Sequence, residues 1–317
     1  MRPVYRLMPR KLGLKFADVS TGTTNFMDNP SAHGYADATN TGSRIADGSL
    51  VTIPTDVDVG TGWEWNYTYG YVRILDADTV FSGYRVLGGV DIEANGVIIR
   101  DCHISCRPYP DCDGWLIGVR HAQNYTVEYC TIRGYNSGED RIRYAIKSIY
   151  GDEDGGTIQY NNIYWACIGI NHDSGTLYMN YIHDMGYSTI DGGDHCNCIM
   201  SNGGSLSMLV QKNTCQNYLN QTSAIALYVD SGDISNKTLD NNLIAGGGYS
   251  IYGGSSGDAA GGGALPSNID ITNNRFSKLF YSTGGFNGHV AYYDPARPGN
   301  SWSGNVWDDD NSTIASP

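Results

Sequence analysis

The chain has 317 residues, a formal net charge of −13, 41 glycines, 24 tyrosines and 17% charged residues. This balance disfavours nucleic-acid binding and attraction to an anionic membrane surface, both of which need basic patches. It suits a turn-rich all-β protein that uses its charge for solubility or for calcium, and with no run of 18 apolar residues no membrane insertion is predicted.

Residues 1–43 carry five Arg or Lys before position 16, then a stretch rich in Thr, Asn, Gly, Ala and Ser, with little periodicity. They read as an extended N-terminal arm that attaches to a larger assembly and orders on binding it. The first ten residues are basic and lack the apolar segment of a secretory leader, so no leader is predicted. Residues 44–75 hold two short strand patterns, Ser49 to Ile53 and Tyr71 to Leu75, around the aromatic run Trp63-Glu64-Trp65-Asn66-Tyr67. They read as a cap or first coil, because a solenoid needs its open end covered.

Residues 76–317 repeat. The unit is an apolar residue, two polar residues, an Asn or Cys, one further residue and an apolar residue, as in Ile99-Arg100-Asp101-Cys102-His103-Ile104 and Leu239-Asp240-Asn241-Asn242-Leu243-Ile244. The Asn/Cys position falls at 102, 130, 161, 180, 213, 242, 274 and 305. Each copy is strand-length, rich in β-branched and aromatic residues, and bounded by turn formers. No helical pattern follows any copy, and the intervals are too uneven for a propeller. A repeat of this length is a solenoid signal, and the expected fold is a right-handed, single-stranded parallel β-helix of about nine coils. At about 4.8 Å per coil the rod would be roughly 40 Å long. The Asn residues are expected to stack at a sharp turn as a hydrogen-bonded ladder, with Cys taking some rungs as a small buried apolar group. A second strand per coil is visible, as in Trp115 to Val119 and Ala145 to Ile149. The tail from Asp308-Asp309-Asp310 onward reads as solvated.

Eight cysteines are too few for a disulfide framework at this length. Cys102, Cys130 and Cys215 fall on rung or inward positions and read as buried thiols. Cys106 and Cys112 flank a Pro-rich loop and could bridge it. Cys196-Asn197-Cys198 is too tight for a bridge and reads as one inward and one outward cysteine, or as a turn.

Stacked coils bring residues of equal offset together, which defines three candidate sites. Counting back from the rungs, Asp152, Glu153, Asp154, His172 and Asp173 share one edge. There Asp152, Asp154 and Asp173 could supply oxygen ligands to Ca²⁺, or paired carboxylates could work as acid and base; tight turns alone also favour Asp and Gly. Asp184, Asp191, Asp194 and His195 form a second group, in which a His beside carboxylates could act as a general base. Asp173, Asp194 and His195 are accordingly the candidate catalytic residues. Tyrosines recur through the middle coils, and Tyr160, Tyr178 and Tyr181 are the candidate platforms for sugar stacking.

Three stretches resemble right-handed parallel β-helices of the pectin-lyase-like superfamily, in particular those of actinobacteria and their bacteriophages. They are Thr79 to Ile104, Asp194-His195-Cys196-Asn197-Cys198-Ile199, and Asn236 to Tyr252, with Gly304-Asn305-Val306-Trp307-Asp308 as a further match. The resemblance covers about residues 75–310. It implies a minor tail or tail-tip protein of a virion, or else an extracellular protein. Its N-terminal arm would attach to other tail proteins and its β-helix would meet host cell-envelope polysaccharide; a homotrimer is open. Arg141-Ile142-Arg143 with Lys147 superficially resembles the basic strand of polygalacturonase-like enzymes. The matching Asn-Thr-Asp, Asp-Asp and Gly-His-Gly elements are absent, as is the pectate-lyase signature, so no catalytic role is carried over. The alternatives are a polysaccharide lyase or glycoside hydrolase and a purely structural virion component.

Overall fold

The computed structural model describes residues 25–106, 114–135, 142–187, 195–229, 232–254 and 266–317. Within them every repeat bends at the residue before its Asn or Cys. Asp101, Tyr129, Tyr160, Met179, Lys212, Asn241 and Asn273 all hold φ between 49° and 56°, and Gly304 holds 68°. A left-handed residue ends the pairing of one strand and starts the next on a different plane. The run that reads as one strand in the sequence is therefore two: Ile98–Arg100 lies in one sheet and His103–Cys106 in another.

The result is a right-handed parallel β-solenoid of about 8 turns, with three sheets around one core. Sheet A has ten strands, from Val51–Ile53 to Val306–Trp307. Sheet B has eleven, from Val59–Gly60 to Gly288–Ala291, and sheet C nine, from Val80–Ser82 to Ser301–Ser303. Inward side chains stack in register. Ile99, Val127, Ile158, Leu177, Val210, Leu239 and Ile271 line sheet C, and Ile117, Ile146, Ile170, Ile199, Ile225 and Ile251 line sheet B. All belong to one buried cluster. Burying each such side chain contributes about 1.5–3 kcal/mol.

The Asn rungs form the expected ladder. Asn161 Nδ2 donates to Asn180 Oδ1 at 3.0 Å, and the pattern repeats through Asn213, Asn242, Asn274 and Asn305 at 2.9–3.1 Å. The same amide groups donate to the carbonyls of Val127, Ile158, Leu177, Val210, Leu239 and Ile271. Each amide is thereby satisfied where water does not reach. At the two Cys rungs the thiols donate to the Arg100 and Glu128 carbonyls, each at 3.2 Å. Cys106 is disulfide-bonded, and Cys112 lies outside the described residues.

At the N-terminal end Trp63–Asn66 pairs antiparallel with Tyr71–Ile74, and the Trp63 ring packs edge-on against Phe81 and Tyr84. At the other end the tail departs from the solvated reading. Ile314 is buried, its carbonyl accepts from Trp302 Nε1 at 2.9 Å, and Asp308 is fully buried. An apolar side chain and an indole N–H at an open solenoid end both need cover, and the tail supplies it.

Residues 25–50 also differ from the expected arm. They form a strap that runs back along the outer surface of sheet A, against the direction of winding. Asp308 accepts from the amides of Phe26 and Met27 and pairs with Arg275 Nε at 3.0 Å. Met27 and Tyr35 pack on Leu243 and Ala245, and Tyr35 Oη donates to Asn241 Oδ1 at 2.6 Å. Gly42 N donates to the Tyr160 carbonyl, Ser43 N to Thr131 Oγ1, and Arg44 makes a two-pronged contact with Asp101 at 2.7 and 2.6 Å. Residues 1–24 lie outside the described residues.

Candidate functional site

The acidic edge is not a ligand shell. Asp152 is exposed and pairs with His121 at 2.7 Å. Asp154 is exposed and accepts from the Gly155 amide. Asp173 accepts from Ser201 Oγ at 2.8 Å and Asn202 N at 2.6 Å, tying one coil to the next. Each carboxylate is engaged by a different partner, and among the described residues no group of three or more His, Cys, Asp or Glu is placed to hold a metal.

Glu153 and His172, counted onto the same edge, are inside the solenoid. Burial works to raise the Glu153 pKa. Hydrogen bonds from Ser148 and from the Tyr150 and Gly151 amides outweigh it, and the carboxyl titrates below its ordinary range. Burial pushes His172 down to about 4, so the ring is neutral at pH 7. The Asp173 amide donates to Nδ1 at 3.0 Å. The single proton of the neutral ring therefore sits on Nε2 and faces Tyr125 Oη. Lys237 is also enclosed: its Nζ donates to the Asp173 and Leu206 carbonyls at 2.7 and 2.6 Å, and burial brings its pKa down to about 8. These groups form an internal polar plug that joins coils. They are not presented to a polymer outside.

Of the second group, Asp191 and Asp194 lie outside the described residues, His195 is exposed, and Asp184 pairs with His183 at 2.8 Å. Two of the candidate tyrosines, Tyr160 and Tyr178, lie together at the corner between sheets C and A. Tyr129 and Tyr160 stack face to face at 4.8 Å, and Tyr178 meets Tyr160 edge-on at 5.6 Å. The strap reaches this row: Arg44 lies 3.9 Å over the Tyr129 ring. Tyr181 stacks on His183 at 4.1 Å, and burial pushes its phenol up to about 12, with the strap residue Asp37 adding to the effect.

The outer surface of sheet B is different. Trp115 and Tyr144 are register neighbours on adjacent strands, and Lys147 Nζ lies 4.6 Å from the Tyr144 ring centre and 5.7 Å from that of Trp115. Arg120 lies 5.2 Å over Trp115 and is fixed by the fully buried Asp91, which also accepts from Trp115 Nε1 at 3.0 Å. Gly118 makes this approach possible, since a Cβ there would stand 2.5 Å from both Asp91 Oδ1 and Trp115 Nε1. Burial lowers the Lys147 pKa, and the charges of Arg143 and Arg120 lower it further. Among the described residues no carboxylate pairs with Lys147. Further along the same sheet, Tyr252 packs against Tyr228, Tyr249 and Tyr292 at 5.1–5.9 Å between ring centres. Trp115 and Arg120 were missed from the sequence: counted back from the rungs, Trp115 lies fifteen places before Cys130 and Tyr144 seventeen before Asn161, so equal offsets do not align the pair that the sheet register brings together. Arg143 and Lys147 are the described part of the basic stretch, and Arg141 lies outside the described residues.

No family model, no curated protein and no solved structure matches this chain.

Proposed function

We propose that the outer surface of sheet B binds an anionic polysaccharide of a bacterial cell envelope, and that the protein presents this surface from a phage tail. The observation that carries the binding reading is Lys147. A chain of net charge −13 keeps a partly desolvated cation between two aromatic rings, beside two arginines and with no carboxylate partner among the described residues. Such a cation is most favourable when an anion arrives from outside, and aromatic faces beside it suit the apolar faces of sugar rings. The virion placement is supported by the resemblance of residues 75–310 to phage β-helix proteins.

The test is retention of the purified protein on host cell-envelope polysaccharide, with and without Ca²⁺, while reducing ends and unsaturated-sugar absorbance are followed over hours. Calcium-independent retention without product is the expected result. Absence of retention on charged envelope polymers would sink the binding reading, and product release would replace it with the lyase or hydrolase alternative.

A further inference from the structure

We infer that Cys167 and Cys196 are a disulfide-forming pair that cross-links two neighbouring coils under oxidising conditions. Ala166–Asn171 and Asn197–Ser201 are adjacent parallel strands of sheet B, with Ile168 opposite Asn197. One residue earlier, Cys167 stands opposite Cys196. Neighbouring parallel strands are about 4.8 Å apart, inside the Cα–Cα span of about 4.4–6.8 Å that a disulfide bridges. The two sulfurs lie 2.7 Å apart, closer than non-bonded thiols pack and longer than the covalent bond of about 2.05 Å.

The other cysteines show what a non-reacting pair looks like in the same fold. Cys102 and Cys130 sit on rungs inside the core, and each thiol donates to a main-chain carbonyl two residues back. Cys198 donates to the Ile182 carbonyl. Cys167 and Cys196 belong instead to a separate cluster on the outside of sheet B, with Ile168, Met200, Leu219 and Ala226. Both are buried, but in this smaller cluster rather than in the main core that holds the rung thiols.

The chemistry is an exchange with a disulfide donor of the glutathione type. One cysteine thiolate attacks a donor sulfur, forms a mixed disulfide and releases one donor thiolate. The second cysteine thiolate then displaces the other donor thiolate as the Cys167–Cys196 bond closes. Two protons and two electrons leave the protein, and the donor disulfide becomes two thiols. The bond would tie Ala166–Asn171 to the coil of Asn197–Ser201; the first of these strands pairs with Ile142–Ser148, which carries Tyr144 and Lys147, so the cross-link would fix the register of the coils next to that region.

The full-length protein would be incubated with oxidised glutathione, unfolded in alkylating reagent and mapped by peptide mass spectrometry beside a sample held in reductant. The expected result is a Cys167–Cys196 linked peptide, with Cys102, Cys130, Cys198 and Cys215 alkylated. The apparent melting temperature of the oxidised sample should rise by about 5 °C, since a closed loop of this size restricts the unfolded chain. The rise should be absent from C167S. Alkylation of both Cys167 and Cys196 after oxidation would overturn the proposal, as would linkage of either to any other cysteine. The wild-type peptide map decides the matter even if C167S fails to fold.

Discussion

The outer surfaces of sheets A and B are built from strands of the same coils, yet among the described residues the strap lies along sheet A and not along sheet B. On sheet A the strap takes up the polar and aromatic groups: Asp308 holds the Phe26 and Met27 amides, Asn241 holds Tyr35, and Asp101 with the Tyr129 ring holds Arg44. On sheet B, Lys147 rests on rings beside other cations. A solenoid surface is regular enough to accept any extended chain, so what distinguishes a structural surface from a binding one is whether its charges already have partners. Among the described residues Arg44 and Arg275 along sheet A have carboxylate partners, as has Arg120 on sheet B, and Lys147 has none.

The comparison predicts that stability and binding can be damaged separately. The largest effect is expected from Asp308→Ala, which strands Arg275 and two strap amides at a fully buried position. Urea unfolding should show a loss of about 3–5 kcal/mol, while polysaccharide retention by the folded protein stays at the wild-type level. Parallel loss of retention would mean that the two surfaces are not independent.

Acid should act on the solenoid itself through His172, which is buried at the turn between Ala166–Asn171 of sheet B and Gly175–Tyr178 of sheet C. Its pKa is 6.5 when unfolded and about 4 when folded, so the folded state binds fewer protons between those values. Its contribution is fully present above pH 6.5 and declines as pH falls toward 4, by about 3 kcal/mol in all. Glu153 adds to the loss only below its ordinary 4.5. The slope of unfolding free energy between pH 6.5 and 4.5 should therefore flatten in His172→Gln; an unchanged slope would assign that window to other groups.

Lys147→Met keeps the packing on Trp115 and Tyr144 and removes the charge. Retention should weaken about tenfold, the equivalent of one charge-assisted hydrogen bond at about 1.4 kcal/mol. Stability should hold or rise slightly, because a desolvated cation beside Arg143 and Arg120 has gone. Wild-type retention should also fade at a lower alkaline pH than an ordinary lysine would allow, since burial and those arginines lower the Lys147 pKa. Retention that survives Lys147→Met would move the site off sheet B.

The axis of the molecule was legible in the sequence because it is written locally. Inward apolar residues three places before and two places after an Asn specify core, corner and ladder within a dozen residues, as at Asn242 and Asn274. The left-handed corner residue was not legible, because Tyr129, Tyr160 and Met179 are not residue types that announce positive φ. The strap was missed for another reason. It pairs with no strand over most of its length, and its anchors lie as far off as Asp308 is from Phe26. Equal offsets from the rungs placed Asp152, Asp154 and Asp173 on one edge, yet an offset does not say which way a turn residue faces. Glu153 and His172 turned inward to make hydrogen bonds, while Asp152 and Asp154 stayed in solvent. The tyrosines were read as a row; Tyr129, Tyr160 and Tyr178 adjoin one another, Tyr181 stacks on His183 instead, and that Arg44 would occupy Tyr129 was beyond a local reading.

The smallest effect tests how the strap is held. Its two ends are unequal. The Arg44 end continues directly into the Val51–Ile53 strand, which is paired with Tyr84–Val86, so chain continuity keeps it near sheet A whatever Arg44 does. The Arg44 side chain is 54% exposed, and an ion pair of that kind contributes about 0–1 kcal/mol, with the Tyr129 contact adding about 0.5–1 kcal/mol. The Phe26 end has no such tether among the described residues and depends on Asp308. Arg44→Ala should therefore lose about 1 kcal/mol and speed amide exchange only around residues 42–45, whereas Asp308→Ala should speed it from residue 26 through the Tyr35 contact. Arg44→Lys should recover part of the loss, since lysine restores the charge without the two-pronged fork. If Arg44→Ala instead loosened the whole strap, the strap would be one cooperative unit with its weak end in control, and the buried Asp308 would be an anchor only in appearance.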